Sequence, residues 1–328
     1  RSGTGRCAGR RRAAGRGPVR RSCPGRGRAP WPCRLRTAPV AGKGCLPARR
    51  QCTCFGHRRG RRRVTLPLPL KDRTMRASKA LRKLRDGRCV RVCALGHYLP
   101  FYVRHAAHCG FDAVWLDLEH RAMDAREVQA LLALCHRFDI DCMVRAPTQE
   151  RTRLYRYFED GAAGLLMPLV ADAAEARRLV EAVKFPPLGN RGLDGAGLDA
   201  DFMLAADGFP AAANRETFVA VQIETLPALE AVAEIAAVDG VDVLFVGPGD
   251  LGLRLGLTES GPSLDEAVER VAAAAAAHGT AWGIAGGTPE QKRRYRGLGA
   301  QMLIGAGDFA LTGVLARAQA ELDDILDE

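Results

Sequence analysis

Residues 113–121 read AVWLDLEHR, an apolar run broken by Asp117 and closed by Glu119, His120 and an arginine. A solvated turn would account for the charges cheaply, whereas a catalytic rim would need partners at matching positions elsewhere. The chain supplies them. Arg145 ends a second apolar run, Gln222 and Glu224 end a third, and a GPGD stretch carries Gly247, Pro248 and Asp250 after a fourth. Two carboxylates from separate segments, completed by water and substrate oxygens, suit a hard divalent cation such as Mg²⁺ or Mn²⁺. An imidazole has the pKa range to move a proton near neutrality, and a guanidinium holds an oxyanion without titrating. Taken singly, each residue has a structural explanation: Glu224 as a helix cap, Asp250 as a turn stabiliser, His120 as a satisfied rim histidine. Their recurrence at the ends of runs argues for shared chemistry, with Glu119 the weaker member, suited to orienting the loop.

The elements that must position these residues follow from the runs themselves. VRVCALG (90–96), AVWLDLE (113–119), DCMVRAP (141–147), GLLMPLV (164–170), FVAVQIE (218–224), VDVLFVG (241–247), AWGIAGG (281–287) and QMLIGAG (301–307) are short, apolar and without alternation. Strands covered on both faces read this way. Helical patterns lie between them, among them DAREVQALLALCHRF, TRLYRYFED, DAAEARRLVEAVK, LPALEAVAEIAAV, SLDEAVERVAAAAAAHG and TPEQKRRYRGLG. Several open on an Asp, Ser or Thr cap and stop near glycine. Eight strands separated by helices predict an α/β fold, a (β/α)8 TIM barrel over residues 75–328, with reactive groups at the strands' C-terminal ends. An open doubly wound sheet is the competitor, but no GxGxxG opens the first strand–helix turn. The Gly- and Pro-rich connection 185–217 follows the fourth strand and is expected near the barrel mouth.

Charge divides the chain. Residues 1–74 hold 22 Lys and Arg against one acid, while residues 75–328 hold 27 against 36, so the net +12 belongs wholly to the first segment. That segment is rich in Arg, Gly and Pro and shows neither helical nor strand periodicity, so it is expected to be disordered. Because the first methionine is Met75, it is also expected to be translated upstream sequence rather than native coding sequence. A transit peptide or a basic nucleic-acid-binding arm are the alternatives. Six of the eleven cysteines fall in it, and Cys52 and Cys54 followed by His57 lack a second pair at zinc-ligand spacing. Cys89, Cys93, Cys109, Cys135 and Cys142 sit mostly in apolar runs and read as reduced residues of a cytoplasmic protein. No window of 18 uninterrupted apolar residues occurs, so no membrane span is predicted.

GFDAVWLDLEH, MVRAP, EDGAAGLLMPLV, KFPPLGNRGL, VQIET and VDVLFVGPGDLGLRLG occur in this order, and over residues 80–325 the chain resembles the HpcH/HpaI aldolase family. The resemblance implies a metal-dependent barrel lyase that splits a 4-hydroxy-2-keto acid into pyruvate and an aldehyde through a metal-bound enolate. It implies Mg²⁺, Mn²⁺ or Co²⁺ on Glu224 and Asp250, Arg145 beside the enolate oxygen, and His120 as catalytic histidine backed by Asp160. Asp117, Gln222, Gly247, Pro248 and Ala285 fall where the family contacts substrate, and a homo-oligomer, a hexamer, is implied. Three departures stand out. The Arg145–Asp160 spacing is one residue longer than the family pattern, Gly252 replaces a serine, and Ala285 replaces a bulkier side chain. A Schiff-base route would need a lysine at a strand end, and Lys79, Lys83, Lys184 and Lys292 all fall in helical or exposed stretches. A citrate-lyase-like acyl-CoA lyase is the alternative activity, for which RRYR at 293–296 is the one basic cluster of the body. Binding of nucleic acid through the basic segment is the non-catalytic alternative; the acidic body itself predicts neither a nucleic-acid nor a membrane partner.

Overall fold

The computed structural model describes residues 75–205 and 208–326. The expectations for residues 1–74 lie outside the described residues. Eight strands, β1 (Val90–Leu95), β2 (Ala113–Asp117), β3 (Asp141–Arg145), β4 (Gly164–Met167), β5 (Phe218–Ile223), β6 (Val243–Val246), β7 (Ala281–Ile284) and β8 (Met302–Gly307), follow one another. They form a closed parallel barrel in sequence order. Closure comes from β1 pairing with β8, with one irregularity between Val92 and Cys93. Every strand falls inside one of the eight apolar runs, and β8 alone extends to its run's final residue.

Side chains alternate across the barrel wall. Val114, Leu116, Cys142, Val144, Val219, Val221, Leu244 and Val246 face outward into the layer beneath the helices. Trp115, Met143, Leu166, Phe218, Ala220, Phe245 and Met302 face inward and fill the axis. The end where the strands begin is plugged by α1 (Lys79–Arg85), which buries Ala80, Leu81 and Leu84 there. Asp141 anchors that plug: its fully buried carboxylate accepts from Arg76, from Ser78 Oγ and from the Ala80 amide, each at 2.7 Å. The opposite end stays open for chemistry.

The helices close by ordinary capping chemistry. In α3 (Ala125–Phe138) Asp124 and Glu127 form a reciprocal capping box, and α4 (Arg151–Glu159) starts on the Glu150 side chain. The LPALEAVAEIAAV pattern is two short helices, α7 (Leu226–Glu230) and α8 (Val232–Ala236), separated at Ala231. The last helix, α12 (Ala310–Leu326), buries no residue, and Leu311, Val314, Leu315, Leu322, Ile325 and Leu326 lie exposed along it.

One expectation is corrected. The long connection does not lie at the mouth, because α5 (Ala173–Val183) first carries the chain back to the end where strands start. There the buried Lys184 Nζ donates to the carbonyl of Thr217, just ahead of β5, at 2.7 Å. The connection is pinned by Arg191 and Asp199, a buried pair 2.6 Å apart with the guanidinium stacked against Phe185.

Candidate active site

The two-residue period of the wall selects the groups that look down the axis. In β2 the inward positions are Ala113, Trp115 and Asp117; in β3 they are Asp141, Met143 and Arg145. The same alternation in β5 passes through Phe218 and Ala220 to Gln222, and one step further to Glu224. In β6 it runs through Val243 and Phe245 to Gly247, and in β7 from Ala281 through Gly283 to Ala285. Six of the residues singled out from the sequence therefore share the inner face of the mouth.

Arg145 and Asp117 are paired across neighbouring strands at the register Asp117↔Arg145. The guanidinium binds the carboxylate through Nε at 2.9 Å and a terminal nitrogen at 2.7 Å. Its other terminal nitrogen lies 3.1 Å from Glu119 Oε2, and its plane sits 4.9 Å from the Trp115 ring. Two of its five N–H groups stay free of protein partners among the described residues. Burial would raise the Asp117 carboxyl, but Arg145 outweighs it and holds Asp117 below the usual carboxylate range. Asp117 Oδ1 also accepts the amides of Glu119 at 3.1 Å and His120 at 3.4 Å. This side-chain turn is why the chain bends off the strand there. His120 is thereby held at the rim with its side chain 54% exposed and Nε2 3.6 Å from Glu119 Oε2.

Glu224 is 2% exposed and Gln222 3%. Glu224 Oε1 accepts the Leu169 amide at 2.7 Å, and Oε2 accepts from the Gln222 side-chain amide. Leu169 has a left-handed backbone (φ 56°), the conformation in which its N–H meets Glu224. Burial raises the Glu224 carboxyl, the Leu169 amide works against it, and the charges of Glu119 and Asp250 push it up again. Two further carboxylates thus act on Glu224. Gly247 makes room for Glu224 and Gln222, since a Cβ there would lie 2.6 Å from Glu224 Oε2 and 2.7 Å from Gln222 Nε2. Pro248 and Asp250 occupy the first turn of α9 (Pro248–Gly256), with Asp250 45% exposed at its side chain and paired to Arg254 at 2.7 Å.

The donor set fits a hard divalent ion. Glu224 and Asp250 offer anionic oxygens, a cation would relieve the action of the Asp250 charge on Glu224, and Gln222 Oε1 is buried without a hydrogen-bond partner among the described residues. No cluster of three or more His, Cys, Asp or Glu side chains suited to a metal occurs among the described residues. Water and substrate oxygens would therefore complete the coordination.

No hydrogen bond or ion pair joins Asp160 to His120 among the described residues. Asp160 caps the far end of α4, where Gln129 donates to it at 2.9 Å and Arg156 lies 3.6 Å away. It lines a cavity of about 370 Å³ with Leu118, Val128 and Tyr157, outside the barrel wall. Ala285 is partly buried on the inner core, and Gly252 lies within α9. The arginines of RRYR are engaged elsewhere: Arg293 with Glu290, Arg294 with Asp265 and Glu269, and Arg296 with the Ala300 carbonyl.

Sequence reasoning missed two contributors. The Leu169 amide acts through the main chain, which side-chain patterns do not report. Trp115 was visible within AVWLDLEH, but its place beneath Arg145 becomes legible only from the inward register.

The sequence profile of the HpcH/HpaI aldolase/citrate lyase family matches residues 97–311. A hydroxypyruvate/pyruvate aldolase of Roseovarius nubinhibens is 34% identical over 227 residues, covering 69% of this chain and 88% of that one. A 5-keto-4-deoxy-D-glucarate aldolase of Klebsiella pneumoniae is 32% identical over 234 residues, covering 71% and 89%. The crystal structure of an HpcH/HpaI aldolase from Desulfitobacterium hafniense superposes with a TM-score of 0.69 at 32% identity, covering 74% of this chain and 95% of that one.

Proposed function

The chain belongs to the HpcH/HpaI aldolase/citrate lyase family and is a carbon–carbon lyase, and from that premise we propose that it cleaves a 4-hydroxy-2-keto acid to pyruvate and an aldehyde with a divalent metal. The observation that carries this reading is the inward register, which aims Arg145, Gln222 and Glu224 at one point of the mouth. The aldolase names of its relatives support it.

Cleavage removes the proton of the 4-hydroxyl, breaks C3–C4 and leaves the electron pair as the enolate of pyruvate. Arg145 meets the enolate oxygen with its two unused N–H groups, while Asp117 and Glu119 fix the plane of the guanidinium. Because the fork is held before substrate arrives, little reorganisation is needed as charge develops. His120 is the exposed imidazole at the rim and takes the hydroxyl proton. Gln222 orients Glu224 through its amide and keeps its carbonyl oxygen for the site. Glu224 and Asp250 would hold Mg²⁺, Mn²⁺ or Co²⁺, which when bound supplies Lewis-acid polarisation of the keto acid. The Ala285 methyl borders the keto-acid end and leaves it space. Asp160, bound to Gln129 and Arg156, supports the α3–α4 wall within one chain.

The protein is read as a cytoplasmic homo-oligomer with a small-molecule substrate and no nucleic-acid partner. Cys89, Cys93, Cys109, Cys135 and Cys142 are free thiols, no helix of the described residues is long and apolar enough to cross a membrane, and α12 offers an uncovered apolar stripe to a second copy. The decisive test is pyruvate release over a panel of 4-hydroxy-2-keto acids, with EDTA-treated enzyme and with Mg²⁺, Mn²⁺ or Co²⁺ restored. Release that needs the metal and is lost in Glu224→Ala and Asp250→Ala is expected. Full activity after metal removal would refute the assignment.

A further inference from the structure

Trp115 is 9% exposed on the inner wall, yet its Nε1–H meets no hydrogen-bond partner among the described residues. A buried donor left without a partner is costly. Phenylalanine or leucine would fill an axis of Met143, Leu166 and Phe218 without that penalty. Packing alone therefore does not explain an indole at this position, and its two ring contacts do.

The first contact is with Arg145. The guanidinium carbon stands 4.9 Å from the centre of the indole ring, within cation–π range. Asp117 and Glu119 hold the same guanidinium through N–H groups, which lie in its plane. In-plane bonds fix where the fork sits but resist its tilting out of that plane only weakly. The indole face supports what they leave loose. Tilt matters here, because the two unused N–H groups point along the plane of the fork and must meet the enolate oxygen there.

The second contact crosses the barrel. Trp115 on β2 meets Phe245 on β6 edge to face, with centroids 5.7 Å apart and planes at 70°. Phe245 is fully buried, stands one inward step before Gly247 and is paired in register with Gln222. The two rings thus form one floor, which starts beneath Arg145 and ends beside Gln222. Resting on the aldolase reading, we infer that Trp115 is a positioning residue: braced by Phe245, its π face sets the tilt of Arg145 toward the enolate oxygen.

The experiment separates the charge on the ring face from the bulk of the ring. Tryptophan analogues with increasing numbers of ring fluorines, placed at position 115 of the full chain, withdraw charge from the face at nearly constant shape. With metal supplied, the logarithm of kcat for pyruvate methyl exchange with D₂O is expected to fall steadily along the series. KM for pyruvate should stay nearly level. Trp115→Leu, which removes the face, should lower kcat about 30-fold, as for a desolvated cation–π contact. Trp115→Phe keeps a weaker face and should recover part of that loss. Phe245→Leu should lower kcat in the same direction by less, and an unchanged rate there would overturn the brace. A kcat that stays level along the fluorine series, or a Trp115→Leu rate within a few-fold of wild type, overturns the positioning role while the wild type still exchanges. Absence of both exchange and pyruvate release in the metal-supplied wild type would overturn the aldolase reading and the role with it.

Discussion

Replacing Gly247 by alanine adds one methyl group at the most crowded point of the site. Its backbone (φ −93°) accepts any residue, so the effect is one of space rather than conformation. The new Cβ would stand 2.6 Å from Glu224 Oε2, 2.7 Å from Gln222 Nε2 and 2.9 Å from Glu224 Cβ. Ordinary carbon contacts begin near 3.5 Å, so the carboxylate must retreat by roughly 0.9 Å. It cannot retreat freely, because Glu224 Oε1 is tied to the Leu169 amide and both side chains are buried. Overpacking of this kind costs about 1–3 kcal/mol of stability, and misplacing a catalytic group by about 1 Å costs on the order of 10²-fold in rate. Gly247→Ala is therefore expected to stay folded, to melt lower, and to lose about two orders of magnitude in kcat for pyruvate release. Coupled lactate dehydrogenase assays and calorimetry read the two quantities. A variant with a wild-type kcat would show that Glu224 and Gln222 do not need their present positions.

Arg145→Lys keeps the charge but removes the planar fork, and should lower kcat about 10²-fold or more in the same assay; a rate within a few-fold of wild type would count against Arg145 as the oxyanion partner. Burial lowers Lys184 to about 8 from 10.5, so the unfolded chain holds the extra proton above pH 8 and stability should rise with pH there. Cys93, pushed up by burial to about 12 from 9.0, works in the opposite direction above pH 9. The rise is thus confined to about pH 8–9, at no more than ~1.4 kcal/mol per unit. Urea midpoints at the two pH values should show it in the wild type and not in Lys184→Met, and equal slopes would refute it. A chain starting at Met75 should melt and react as the full chain does. One starting at Leu81 loses every donor to Asp141 and should be destabilised by about 3–5 kcal/mol; equal melting temperatures would show the plug to be dispensable.

Strand positions were legible because a wall covered on both faces must be apolar throughout, and few other elements of such short length are. The ends of those runs then located Asp117, Arg145, Gln222 and Glu224, since a polar side chain tolerated at the edge of an apolar run needs a reason. Helices were less legible. Pro100–His108 and Ala310–Leu326 carry weaker signals: α2 (Pro100–His108) starts without a side-chain cap, and α12 has an apolar stripe with nothing in its own barrel to cover. The long connection was placed at the wrong end because its glycines and prolines mark a loop without saying on which side of α5 it falls. Asp160 shows a different limit. A motif match assigns a residue to a role, but the distance to its partner is a property of the fold.

The Asp117 carboxylate is shared between the Arg145 fork and the amides that turn the chain toward His120. Its neighbours are therefore not independent variables. Any change at residue 117 alters the plane of one group and the starting point of another together, so the energetic effects of substitutions at 117, 120 and 145 should fail to add. The losses of a double variant should fall well short of the product of the single losses. What natural variation can reach at this rim is constrained in the same way, because the three residues change usefully only as a set.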